Sequence, residues 1–412
     1  PYKVKVSSTS GLIGTSTAAI GFAVGWTTAA GANLSFDINS TTTQTLAGTD
    51  GGGGTNRTFS LAPGSNALPS GLQPVTAGGD IIGQIAADQE NVTTTVTFRL
   101  TDNGSGLFTD RDIDIKGVSA LYSFSSFTFT NAFIDAYQPG SYGHTGPTLS
   151  QLTTAYSPTW TGYTSNLNVT STGIQEWTVP STGSYQIAAY GAGVRDMNDG
   201  GYGARITGTC TLTKNEIIRI LVGQTPNTIS YSSYHGAAGG TFVVRTPYNI
   251  DASIIVIAGG GAGGHNGANS SHGNASLTTT GQTGDDNIVG GQNGLGGSSG
   301  YAGNGGAGFH GNAVMNGNAT SASYAYGAKA FVNGGQGGGH DANGANQGGF
   351  GGGGRHGSSH GGGGGGYSGG GGSIGGPHLG GGGGSYKASF FTVTSEDNTV
   401  HDGPGSVTIT KL

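Results

Sequence analysis

Between residues 259 and 385 the chain holds 52 glycines in 127 positions and only five charged residues. One part of it, residues 355–372, reads "RHGSSHGGGGGGYSGGGG". Glycine loses more backbone freedom on ordering than any other residue. Fixing such a chain costs on the order of 1–2 kcal/mol per residue. Side-chain burial cannot offset that cost here, so backbone hydrogen bonds and close dispersion contact must. The segment is therefore either a packed lattice or unstructured.

Three readings compete. A flexible loop follows from composition, yet a structureless stretch of this length inside a compact domain is uncommon. A phosphate-binding loop needs a strand, a glycine fingerprint and a helix in order. Gly-X-Gly-X-X-Gly recurs here only because glycine is abundant. The third reading is polyglycine II, with three residues per turn, a rise of ~3.1 Å and no internal hydrogen bonds. Its N–H and C=O groups point outward and must find partners. The runs at 351–354, 361–366, 369–372 and 380–384 are suited to such rods.

The rest of the 412 residues reads as all-β. Up to about residue 135, alternating stretches separated by turn clusters imply a β-sandwich or jelly roll. These include "YKVKV" (Tyr2, Val4, Val6), "VTTTVTFRL" (Val92, Val96, Phe98, Leu100) and "FTFTNAF" (Phe127, Phe129, Phe133). From 136 to 258, "QEWTV", "YQIAAYGA", "ARITGTCTL", "IIRILVGQ", "TFVVR" and "SIIVIA" continue the pattern, and "SYKASFFTVTS" and "GSVTITKL" resume it after the glycines. The glycine segment is thus an insertion anchored at both ends in a sheet. No amphipathic helix is expected, because Thr, Ser and Gly interrupt every candidate. Two domains follow: 1–135, for assembly, and 136–412, with the insertion at about 259–385.

Several stretches occur in a specific order: "GIQEWTVPSTGSYQIAAYGAG" (173–193), "GGYGARITGTCTLTKNEIIRILVGQ" (200–224), "AAGGTFVVR" (237–245), "IIVIAGGGAGG" (254–264), "GGFGGGG" (348–354) and "GGGGGGYSGG" (361–370). Together they resemble the glycine-rich ectodomain module of the anaplastic lymphoma kinase and leukocyte tyrosine kinase receptors. "GHTGPTLSQ" (143–151) and "VTSEDNTVHDGPGSVTIT" (393–410) look like that module's two ends. The resemblance covers residues ~136–412. It implies a TNF-like jelly roll carrying hexagonally packed polyglycine II helices, a bundle also similar to that of T-even-like phage tail-fibre adhesins. No receptor residue or receptor function transfers with it.

Function classes narrow by chemistry. A net charge of −6, without a basic run, argues against nucleic-acid partners. No apolar run approaches the ~18 residues of a membrane span. The lone Cys210 shares a strand face with Ala204, Ile206 and Leu212 and reads as a core residue. His356 and His360 are spaced for an α-helix rather than a three-fold helix, so they read as polar decoration. Asp110, Asp112 and Asp114 fall on one strand face. They are weak calcium candidates, as is Asp102 in "TDNGSG", against the plainer reading of a solvated face. No acid/base pair or nucleophile elbow stands out, so neither an enzyme nor a cofactor is expected.

Abundant Thr, Ser, Asn and Gly point to an extracellular, cell-surface or virion-surface setting. The start at Pro1, without methionine, reads either as the removal of a leader or as a processed end. Nine glycosylation sequons occur, at Asn33, Asn39, Asn56, Asn91, Asn103, Asn168, Asn269, Asn274 and Asn318. Aromatics in the glycine segment either plug the lattice or contact a partner, and Phe309, Tyr324, Tyr326 and Phe331 are the candidates for contact. The leading expectation is a structural fibre subunit that assembles with itself through the Tyr2–Val6 strand. The alternatives are a phage adhesin for a cell-surface glycan or receptor, and a secreted ligand-binding module.

Overall fold

The computed structural model describes residues 24–38, 41–122, 124–131, 143–157, 163–194, 200–226, 236–264, 271–300, 303–314, 325–340, 347–357, 360–374 and 378–412. Tyr2, Val4, Val6, Asn39, Asn269, Asn318, Tyr324 and Phe133 lie outside these residues. The chain divides into two compact units, Pro1–Ala120 and Leu121–Leu412, whereas composition placed the division near 135. The difference comes from strand Ser126–Phe129, which pairs antiparallel with the C-terminal strand Ser406–Lys411 and so belongs to the second unit.

The first unit is built on a four-stranded sheet. Asn33–Asp37 runs parallel to Phe108–Val118, which forms a hairpin with Thr93–Asp102, which in turn pairs with Arg57–Leu61. A separate ladder joins Thr42–Thr45 to Asp80–Gly83. Alternation puts Val96, Phe98, Leu100, Ile113 and Ile115 inward, and all five are fully buried with Phe36, Phe59 and Ile81. Val92 does not join them. It precedes the strand and is 43% exposed.

The glycine turn "TDGGGG" folds around the Asp50 carboxylate. Oδ1 accepts from the Gly52 and Gly54 N–H groups at 2.8 and 2.7 Å, and Oδ2 from Asn56 N–H at 2.9 Å. Those bonds, Gly54 first, hold the carboxyl below its ordinary range.

The second unit is a sandwich of two antiparallel sheets. One has six strands in the order Leu167–Val169, Gln175–Thr178, Ile217–Leu221, Thr241–Arg245, Ile254–Ala258, Tyr386–Lys387. The other runs Thr392–His401, Gly203–Leu212, Gly183–Tyr190, Ser406–Lys411, Ser126–Phe129. Trp177, Tyr185, Ile187, Ile206, Ile218, Ile220, Val407 and Ile409 fill the space between them. Ala204, Ile206, Cys210 and Leu212 all face this core. Gly208 shares their face, and the Phe391 ring fills the space its missing side chain leaves, 2.6 Å from where a Cβ would sit.

Helix Leu149–Tyr156, followed by the single turn Tyr163–Asn166, contradicts the expectation of none. Thr148 and Gln151 form a reciprocal capping box at its start, and Leu152 and Tyr156, one turn apart, are buried.

The six-stranded sheet is covered on both faces. Its far face, with Leu221, Phe242, Val244, Ile254 and Ile257, packs against Phe309, Phe331, Phe350 and Tyr367 from the glycine segment. That double burial explains why Ile254–Ala258 is an unbroken apolar run. The segment leaves this sheet at Ala258 and returns at Tyr386, which pairs with Ile257.

Between those points the described residues form a lattice of extended rods. Residues 361–373 are all buried. Hydrogen-bond partners repeat every three residues. Gly363 and Gly366 donate to Asn304 and Ala307, while Gly364 and Tyr367 donate to Gly381 and Gly384. Gly369 and Gly372 donate to Leu295 and Ser298, and, running the other way, Gly380 and Gly383 donate to Gly263 and Gly260. Each rod thus bonds to different neighbours on successive residues. A Cβ at Gly363 would lie 2.1 Å from Gly370 O, and one at Gly364 2.1 Å from Gly260 O. Only glycine permits that approach.

Candidate functional site

The second unit carries a groove of mixed polar and apolar lining where four chain segments meet. They are the approach to the helix (145–149), the turn after strand Leu167–Val169 (169–173), the turn at 247–249 and the lattice turn at 331–336. The floor is a close crossing of two backbones, since a Cβ on Gly173 would lie 2.3 Å from the Gly146 Cα. Gly334 has φ +101° and sits against Thr172, 2.7 Å from where its Cβ would be. Two adjoining cavities of about 590 Å³ and 460 Å³ share Thr170, Thr172, Asn333 and Gly334.

Hydroxyls and amides make up most of the groove's polar lining, and Pro147, Leu149, Val169, Pro247 and Val332 supply an apolar share about as large. Ser171, Thr172, Asn333 and Gln336 lie on one side, and Asn249 and Tyr248 on the other. Arg219 lines it too, but its charge is matched by Glu176 at 2.9 Å and its guanidinium stacks on the Tyr248 ring at 4.1 Å. Tyr248 adopts φ +66°, a conformation that costs a bulky residue energy, and its hydroxyl donates to Ile217 O at 3.0 Å. The lining suits a neutral, hydroxyl-bearing ligand. Composition gave no sign of this groove, because Thr, Ser and Asn are common throughout the chain. Only the fold brings these ones together.

Other polar groups tie the lattice to its surroundings. Asp251, in the turn before strand Ile254–Ala258, bonds His310 Nε2 at 2.8 Å and accepts from the Tyr367 hydroxyl at 2.9 Å. Burial, then the bond to Asp251, pushes the Tyr367 phenol upward. At a rod end, Asp285 lies 3.1 Å from His272 and Asp286 2.9 Å from His378. The Cys210 thiol is pushed up to about 11 by burial, which keeps it protonated and unreactive.

Several expected site residues fall elsewhere. Phe309 and Phe331 are 0% and 3% exposed and stack on each other at 5.2 Å, so they anchor the lattice on the sheet rather than stand out as partner contacts, with Phe331 only edging the groove. Tyr326 is half-buried beside His144, at a ring distance of 6.3 Å. The calcium reading gives way to cross-strand pairing. Asp110 binds Arg99 through two 2.8 Å bonds, and Asp112 and Asp114 accept from Thr97 and Thr95 at 2.6 Å. Asp102 is taken up by Gly104 N–H and the Ser105 hydroxyl. Among the described residues no three His, Cys, Asp or Glu side chains gather to hold a metal.

Of the sequons, Asn33, Asn56, Asn91, Asn103 and Asn168 are exposed. Asn274 is not: it is 7% exposed and its Oδ1 accepts from Tyr202 N–H, leaving no room for a glycan. Among the described residues no helix is long and apolar enough to cross a membrane.

No protein-family model matches the chain. Among solved structures, it is similar to the protocadherin gamma B7 extracellular cadherin domains 1–4 at 12% identity, over 47% of this chain and 49% of that one, with a TM-score of 0.20. It is similar to the sialic acid binding region of a Streptococcus sanguinis adhesin bound to 3'sLn at 17% identity, over 38% and 44%, with a TM-score of 0.18. The protocadherin gamma B4 extracellular domain matches at 11% identity, over 58% and 39%, with a TM-score of 0.20. Less than half of each of those chains is matched, and at such scores the likenesses carry no argument.

Proposed function

We propose that the chain is a non-enzymatic structural subunit of an extracellular or virion surface fibre, assembling with copies of itself. The observation behind this reading is the lattice. Its rods, read as polyglycine II, bond to neighbours on several sides with a three-residue period and are pinned to a sheet by four aromatic rings. Such a body is stiff in all directions, which suits bearing load and holding a surface in place. The resemblance to the kinase-receptor module and to phage adhesins fits the same reading. Assembly is assigned to the Tyr2–Val6 strand, which adds to a sheet edge of a neighbour. Electron microscopy of the purified chain tests this. Fibres should form, and deletion of residues 1–7 should abolish them while leaving the second unit folded. Dispersed monomers at high concentration would overturn it.

The groove favours a second reading, an adhesin for a neutral cell-surface glycan. That reading expects saturable adsorption to cells, weakened when Asn333 and Gln336 are replaced by alanine. Unchanged adsorption would count against it.

A further inference from the structure

Arg355 stands out among the described arginines. Arg99, Arg219 and Arg245 pair with Asp110, Glu176 and Glu216 at 2.8–2.9 Å. Arg57 and Arg111 donate to the carbonyls of Thr55 and Thr28, and Arg205 lies over the Tyr190 ring at 5.4 Å. Arg355 is only 7% exposed and has none of these: its Nε, like those of Arg57 and Arg205, is buried without a hydrogen-bond partner, but among the described residues no carboxylate, carbonyl or ring is paired with the rest of its guanidinium. Burial pushes its guanidinium below the usual value, and no neighbouring carboxylate opposes that. An unmatched buried cation is strongly unfavourable. It sits, moreover, in a segment that otherwise excludes charge almost completely.

The larger buried polar side chains near Arg355 in sequence or through the rods contrast with the bare run 361–366. Asn304, fully buried, donates its backbone N–H to Arg355 O at 3.1 Å. Gln347 precedes Gly348, which bonds to Gly338, which in turn bonds to Gly353, two residues before Arg355. Gln347 is 4% exposed, and its Oε1 also lacks a partner. Turned end for end, that amide offers an N–H donor instead. His356, buried at 7% exposure, follows directly in the chain.

We infer that this part of the lattice is an oxyanion site, with the Arg355 guanidinium receiving a carboxylate, sulfate or phosphate group through its terminal N–H donors. Arginine's planar fork matches such groups in a way lysine's point charge does not. The inference is independent of whether the chain polymerises.

The test uses the full chain, with sulfate replacing chloride at constant ionic strength. Calorimetry and equilibrium dialysis should show one saturable sulfate site, and thermal unfolding a matching rise in Tm. Arg355→Met should lose sulfate affinity by about tenfold or more, and Arg355→Lys by less. In chloride alone, Arg355→Met should unfold at a higher temperature than the wild type, because it removes an unmatched buried charge. Inorganic phosphate and a sulfated disaccharide, run in parallel, separate the sources. Tighter binding of the disaccharide identifies an anionic glycan, and equal or weaker binding a free anion. Equal sulfate effects on wild type and Arg355→Met would overturn the site. So would the absence of saturable sulfate binding to the wild type, which requires no variant to fold.

Discussion

The sandwich and the glycine lattice lie back to back on one six-stranded sheet and solve the same problem in opposite ways. The sandwich side of that sheet buries Trp177, Ile218 and Ile220, and its strands stay apart because side chains separate the sheets. The lattice side buries four anchoring rings, but most of its other buried side chains are small, chiefly Ala and Ser, with a few larger polar ones such as Asn304, Gln347 and Arg355. Its rods instead approach until a single Cβ would overlap a neighbouring carbonyl. Apolar area holds the first together, and backbone hydrogen bonds and close packing hold the second. The sandwich should therefore tolerate changes of side-chain size better than the lattice, whose closely approached glycines should tolerate no added side chain.

The sharpest way to break this contrast is to add the same side chain to both. Gly364→Val places a Cβ 2.1 Å from Gly260 O and 2.8 Å from Gly383 N. It should cost more than about 3 kcal/mol and prevent the insertion from packing. Gly363→Val should behave alike. Gly183→Val, in a strand where the nearest atom is 4.0 Å away, should change stability by about 1 kcal/mol or less. Denaturant midpoints compare them, and equal tolerance would return the glycine segment to the status of a linker.

Removing an anchor comes next. Phe331→Ala should cost about 3–5 kcal/mol, and the loss should appear in both regions, since the ring stacks on Phe309 and Phe242 across their boundary. A loss confined to the lattice would show that the two halves fold independently.

Alkaline titration gives a smaller effect from each side. Burial pushes the Tyr156 phenol of the sandwich up to about 12, and the Tyr367 phenol of the lattice moves the same way. Both rise above the unfolded value of 10.0, so the unfolded chain releases these protons first. Their stabilisation is complete below about pH 10 and declines from there toward pH 12. Tyr156→Phe and Tyr367→Phe should each flatten the decline in stability measured between pH 9 and pH 11.5. Unchanged slopes would show that neither phenol is neutral because of folding. The smallest effect is expected at Asp110→Ala, whose partly exposed pair with Arg99 should be worth about 1 kcal/mol or less.

What the sequence revealed follows the same division. Alternation located the strands of the sandwich, including Cys210 and its neighbours, because period two survives in side chains. It failed where a second pattern competed. "TLSQ" before Leu152 and Tyr156 carries a capping-box signal that the surrounding Thr and Ser obscured. Ser126–Phe129 was assigned to the wrong unit because a strand's pattern says nothing of its partner, which here lies at the far end of the chain.

Within the glycine segment the three-residue period is invisible in advance, since glycine has no side chain to mark it. Phe309 and Phe331 therefore looked available for a partner. Their burial depends on a sheet face that only the packed lattice brings to them. The groove was illegible for a related reason, its lining being common residues made special by convergence.

The absence of Cβ atoms along residues 361–366 has a last consequence, one that belongs to heredity. Any base change that replaces a glycine codon by that of another amino acid adds at least one carbon. In the sandwich a neighbouring residue can often absorb such a change, but here the atom in the way is backbone, which no second mutation can trim. Drift in this stretch should run through synonymous codons, and variation should collect in the turns between rods.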